Sequence, residues 1–158
     1  MFEGRLVAIH VSDTGAGQMR AVDQAEAVPG RGLETDRYAH QKGSFQKTKP
    51  QDPSREITLI EREAIDAIQR ECDIKIKPAD TRRNLLTESV PLNHLVGRRF
   101  TVGQVTFQGI RLCEPCDHLE TLTSIAGIKQ ALVHRGGLRA RIVSGGTLHA
   151  GDPVRPVE

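Results

Sequence analysis

Aromatic side chains are scarce in this chain of 158 residues, which has no Trp, one Tyr and four Phe. Single-stranded nucleic acids are held by stacking bases on exposed rings, and that platform is missing. A basic excess is missing too: 22 Lys and Arg stand against 20 Asp and Glu, a net charge of +2. That balance argues against a broad phosphate-binding surface. No apolar run reaches the roughly 20 residues of a membrane span, and none follows a charged start as a signal peptide would. Cysteine is limited to Cys72, Cys113 and Cys116, an odd set that offers no disulfide framework. Neither a repeat nor a low-complexity tract is present. The expectation is a reduced, cytoplasmic protein with neither nucleic acid nor membrane as partner. Its length suits one domain over residues 1–158, with a core that folds without covalent staples.

What is present reads as mainly β with a few short helices. Residues 2–11 (FEGRLVAIHV) place Leu6 and Ala8 on one face and Val7 and Ile9 on the other, which predicts a first strand covered on both sides. A second apolar stretch, residues 21–28, runs into Pro29-Gly30-Arg31-Gly32 and a long polar loop that lasts to about Ser54. Residues 57–59 are strand-like. Ile60, Ala64, Ile68 and Cys72 then recur every four residues, which predicts a helix with Cys72 on its buried face. Residues 98–107 alternate about Gly103-Gln104, a type II′ hairpin signal. Residues 138–143 and 153–157 are further strand candidates, separated by Gly145-Gly146 and Gly151-Asp152. Many short strands with glycine turns favour a closed or nearly closed β-barrel.

The chemistry concentrates in Cys113-Glu-Pro-Cys116-Asp-His118, between a strand-like run and a predicted helix start. Haem attachment fails, because Asp117 separates the second cysteine from the histidine. A thioredoxin-like dithiol lacks its βαβ scaffold, and structural zinc needs four ligands, with one further cysteine and scattered histidines to supply them. A thiol at a strand-to-helix junction remains, where helix-start N–H groups favour a thiolate. Cys116 is then the better nucleophile or soft-metal ligand, and two buried structural thiols are the alternative. Arg82-Arg83-Asn84 leads into apolar Leu85-Leu86; the guanidinium pair suits an anionic ligand or, equally, weak surface ion pairs. His134-Arg135, Arg139 and Arg141 flank Gly136-Gly137, whose bare backbone permits close approach to a ligand or makes a solvated turn.

Six segments in order, GRGLETDRYA at 30–39, EITLIEREAI at 56–65, RRNLL at 82–86, LVGRRFTVGQVTF at 95–107, EPCDHLE at 114–120 and GGLRARIVSGGTLHAGDPV at 136–154, resemble the MOSC domain. That domain is named for the carboxy-terminal part of molybdenum cofactor sulfurases. The resemblance implies a β-barrel whose Pro-Cys cysteine, here Cys116, carries sulfur or ligates molybdenum. It further implies a molybdopterin-type cofactor with an anionic tail contacted by Arg82, Arg83 and Asn84, with Asp36 and Arg37 near the pocket. On that reading, loss of the Arg83 side chain weakens cofactor binding without lowering stability. The family's loop motif usually reads Gly-Asp-Arg, and Thr35 stands here in the glycine's place. Cys113 and His118 are auxiliary candidates, Cys113 to resolve a persulfide on Cys116 and His118 to stabilise its thiolate.

Relatives of this type carry a pyridoxal-phosphate desulfurase or an amino-terminal barrel, neither of which fits into 158 residues. The resemblance therefore points to a small stand-alone member, without pyridoxal phosphate, that takes an anionic cofactor or sulfur donor and either works with a partner enzyme or binds its ligand in a more open site. Its reaction is sulfur transfer or the reduction of N-hydroxylated compounds. The rival readings are a non-catalytic cofactor or sulfur carrier and a zinc-stabilised β-domain.

Overall fold

The apolar run near the start of the chain forms β1 (Gly4–Val11) of the computed structural model, which describes residues 1–14, 17–37, 39–40 and 52–158. Residues 41–51 of the long polar loop, and Tyr38 of the 30–39 segment, lie outside the described residues. The second apolar stretch divides at Asp23 into β2 (Arg20–Val22) and β3 (Gln24–Val28), followed by the short β4 (Gly32–Leu33). Next come β5 (Ile57–Glu61), α1 (Arg62–Cys72) and β6 (Leu85–Glu88). The predicted hairpin is β7 (Arg99–Val102) with β8 (Val105–Leu112), and Gly103 takes the positive φ of 57° that its turn requires. Two short helices, α2 (Asp117–Thr123) and α3 (Ile128–Ala131), precede β9 (Leu138–Ser144), β10 (Gly146–His149) and β11 (Pro153–Pro156).

Seven strands close into a barrel in the order β11, β7, β8, β9, β5, β6, β1, with β1 pairing back to β11. Closure removes the open edges that a flat sheet would expose to other chains. All pairs in the ring are antiparallel except β5 with β6, which run parallel because α1 provides the crossover between them. β10, β3 and β4 form a small separate sheet. Gly146 therefore begins a strand, where the sequence suggested only a turn.

Two apolar clusters hold the wall in place. The barrel interior contains Leu6, Ile9, Leu59, Leu85, Leu138 and the stacked rings of Phe100 and Phe107, whose centroids are 5.5 Å apart. Outside the wall, α1, α2 and α3 place Ile65, Ile68, Leu119, Ile128 and Leu132 over Ile60 and Leu86, with Val7 and Ala8 of β1 packed against them. β1 is thus covered on both sides, but its faces differ from strict alternation: Leu6 and Ile9 point inward, Val7 and Ala8 outward. A register shift between Leu6 and Ala8 against β6 inserts the extra residue that exchanges the faces.

Cys72 is exposed and does not lie on a buried face, contrary to the four-residue repeat. The buried residues of α1 are Ala64, Ile65 and Ile68. The helix ends at Cys72, and the chain turns away through Asp73 in the left-handed conformation. Periodicity gives the direction of a helix face, but not how far the layer beneath it extends.

Phe107 is fully buried against Phe100. Phe107→Ala is expected to lower the unfolding free energy by about 3–5 kcal/mol, read as a fall in the urea midpoint with an unchanged slope.

Candidate functional site

β8 ends at Leu112, opposite Leu138 at the start of β9. The chain leaves the barrel there as Cys113-Glu114-Pro115-Cys116. The Cys113 N–H donates to the Gly137 carbonyl at 2.8 Å, and its side chain is buried. Cys116 is exposed and immediately precedes α2, in an extended conformation with φ −134° and ψ 172°. The thiol thus stands at the strand-to-helix junction that the sequence suggested, and His118 lies partly buried in the first turn beyond it.

Lys129 of α3 was not foreseen. Its ammonium donates to Asp117 at 2.8 Å, and its pKa is raised, chiefly by that hydrogen bond, then by the charge of Asp117, with lesser effects from Glu120 and Cys116. An exposed ammonium–carboxylate pair therefore stands one residue beyond Cys116. Lys129 lies beyond the gap between α2 and α3 at residues 124–127, so no periodicity connects it to the cysteine.

Arg83 determines how this loop is held. Its guanidinium is buried and donates to three backbone carbonyls: Nε to Gly136 at 2.8 Å, and the two terminal nitrogens to Thr81 at 3.0 Å and Cys113 at 2.9 Å. Gly136 packs so closely that a Cβ would strike the Cys113 carbonyl, and a Cβ on Gly137 would strike the Leu59 carbonyl. The bare backbone of this glycine pair thus admits the protein's own chain. A second tie joins the same two loops, because Glu114 accepts from the His134 N–H at 2.8 Å and lies 3.1 Å from its Nδ1.

Asn84 is also turned inward. It is fully buried; Oδ1 accepts from the Thr58 N–H at 3.1 Å and from the Thr58 hydroxyl at 3.2 Å, while Nδ2 donates to the His10 carbonyl at 3.1 Å. Both ends of the amide are engaged by the two strands that flank β6.

Asp36 and Arg37 form a buried ion pair at 3.1 Å. Asp36 Oδ1 also accepts from the Ser12 N–H at 2.9 Å, and Oδ2 has no hydrogen-bond partner among the described residues. Arg37 donates to the Arg82 carbonyl at 3.3 Å, so the loop motif and the arginine motif are neighbours. Arg82 has a left-handed backbone (φ 62°), and its side chain donates to the Gly17 carbonyl at 2.6 Å. It is partly exposed and lines a hollow of about 530 Å³ with Lys77, Asp80, Met19 and, from α2, Leu122 and Thr123.

Glu56 holds the segment leading to Asp36. Its buried carboxylate accepts from the N–H groups of Gly30 at 3.0 Å and Ile142 at 3.2 Å, and burial pushes its pKa up despite those bonds and the nearby Arg141.

The residues present fit an anionic, thiolate-bound group in part. Cys116 offers an accessible soft ligand, and Arg82 with Lys77 offers positive charge beside a hollow. The hydrogen bonds that Arg83 and Asn84 form run to the scaffold. No three His, Cys, Asp or Glu side chains converge as a metal site among the described residues, which leaves the zinc alternative without a ligand set.

A small closed barrel carrying an exposed thiol where a strand gives way to a helix is the class that fold and site define. The sequence matches the MOSC domain over residues 34–155, and the chain belongs to that family. Solved structures agree in fold. The YuaD protein of Bacillus subtilis superposes with a TM-score of 0.77 at 16% identity, with all of both chains covered. YiiM of Geobacillus stearothermophilus gives 0.75 at 14% identity over 98% of this chain and 75% of that one. YiiM of Escherichia coli gives 0.69 at 20% identity over 98% and 70%. No curated protein matches the sequence. Among the described residues no helix is long and apolar enough to cross a membrane.

Arg83→Ala leaves buried carbonyls without donors, so it is expected to cost about 2–4 kcal/mol, read by urea denaturation. This reverses the expectation of unchanged stability. For Glu56, a folded pKa above the ordinary 4.5 means that the native state binds more protons than the unfolded chain. Stability therefore falls as pH rises from about that value through the raised one. Glu56→Gln keeps a carbonyl acceptor and removes the charge. Its stability, measured by denaturation from acidic to neutral pH, is expected to lack that decline.

Proposed function

We propose that the domain acts through the Cys116 thiolate, which takes up a sulfur atom or ligates the molybdenum of a pterin-type cofactor. The observation that carries this reading is the difference between the paired cysteines: Cys113 is buried with its backbone fixed, whereas Cys116 is exposed at the start of α2. An exposed thiol is open both to a sulfur donor and to a soft metal. In sulfur transfer the Cys116 thiolate attacks the outer sulfur of a donor persulfide. A new S–S bond forms at Cys116 and the donor leaves as its thiolate. Molybdenum, when bound, would supply two-electron redox chemistry of the kind that reduces N-hydroxylated compounds. Arg82 and Lys77 would hold the anionic tail, and Arg83 keeps the Cys113–Cys116 loop in shape without touching the ligand.

The exposure of Cys116 also favours a second reading, in which the domain carries sulfur or cofactor to a partner protein. An accessible thiol suits transfer between surfaces, and MOSC membership is compatible with either role.

Cys116→Ser is expected to abolish the added sulfur seen by mass spectrometry, or the molybdenum found by elemental analysis, in protein from a molybdenum-replete host. Stability should change by no more than about 0.5 kcal/mol, since an exposed thiol contributes little to packing. Retention of both sulfur and molybdenum by the variant would make Cys116 structural.

A further inference from the structure

A second hollow, of about 640 Å³, lies at the end of the barrel where β1 and β7 begin and β6 and β11 end. It is separate from the cluster of Asp36, Arg37 and Arg82, which gathers where β1 ends and β6 begins. Its size lies within the range of small-ligand sites, roughly 300–1,000 Å³. The floor is apolar. Leu95 is buried and Phe2 packs on the barrel core, and Pro156 and Val157 stand beside them. Four large apolar side chains are exposed among the described residues, and two of them, Met1 and Val157, line this hollow. Apolar side chains gathered in one concave place mark a binding surface more often than scattered ones do.

The rim is basic. His94, Arg98 and Arg99 line it, and among the described residues neither the Arg98 nor the Arg99 side chain is engaged in a hydrogen bond or ion pair. Glu158 is the one carboxylate side chain among the lining residues.

We propose that this hollow binds a small amphiphilic carboxylate, with its apolar body on Phe2, Leu95 and Val157 and its head group on Arg98 and Arg99. A neutral apolar ligand would desolvate two guanidinium groups without pairing them, and a small polar anion would leave the floor in water.

Titration with octanoate, followed by backbone amide shifts in NMR, tests this site, with acetate and octanol as controls. Saturable octanoate shifts are expected at Leu95, Arg99 and Val157, with acetate and octanol each binding at least about tenfold more weakly. The R98Q/R99Q variant should fold normally, because these side chains hold no partner, and should bind octanoate about tenfold more weakly or worse. Octanoate binding no tighter than octanol binding, equal affinity in the variant, or shifts centred elsewhere would overturn the site.

Discussion

One guanidinium group ties three parts of this chain together. Arg83 joins the start of β6 to Gly136 ahead of β9 and to Cys113 after β8. These segments are distant in sequence, and two of them are also joined by the Cys113 N–H to Gly137 carbonyl bond. A buried guanidinium is expensive to desolvate, and it is tolerated here because each of its nitrogens finds a carbonyl. The cysteine loop is therefore positioned by the barrel itself. Its second tie, between Glu114 and His134, sits on the exposed side and contributes less.

That arrangement divides the work of the two cysteines. Cys113 belongs to the scaffold through its backbone, and its thiol is buried behind the loop. Cys116, three residues on, faces water at the first turn of α2 and shares its surroundings with Asp117 and Lys129. The far end of the same helix forms a wall of the hollow that Arg82 and Lys77 line. One short helix thus connects the thiol to the cationic hollow. Glu56 and the Asp36–Arg37 pair hold the approaching loop from the other direction.

The sequence was informative where structure is local. The 98–107 hairpin, the junction at Cys116 and the repeat that became α1 depend on neighbours within a few residues. The closed barrel followed from the number of short strands and their glycine turns. It was not legible that Arg83 and Asn84 serve the scaffold, because these partners lie 26 to 74 residues away in Cys113, Gly136, Thr58 and His10. Arginine chemistry alone suits a ligand phosphate and a set of backbone carbonyls equally well. The exchanged faces of β1 arise from a register shift against β6, which no alternation within β1 could reveal. The exposure of Cys72 is a fact about what ends beneath α1, not about α1 itself.

Asn84 has a consequence for assembly. A strand in an apolar wall can slide by two residues and still present side chains of the right kind to each side, since Leu85 and Leu86 offer little to distinguish one position from the next. Asn84 removes that freedom. Its amide meets Thr58 on one neighbour and His10 on the other, and a slipped β6 would leave those groups dry and unmatched. The amide therefore acts as an indexing pin. It sets where β6 stops against two strands at once, and so fixes the height at which the arginine beside it reaches across to the cysteine loop.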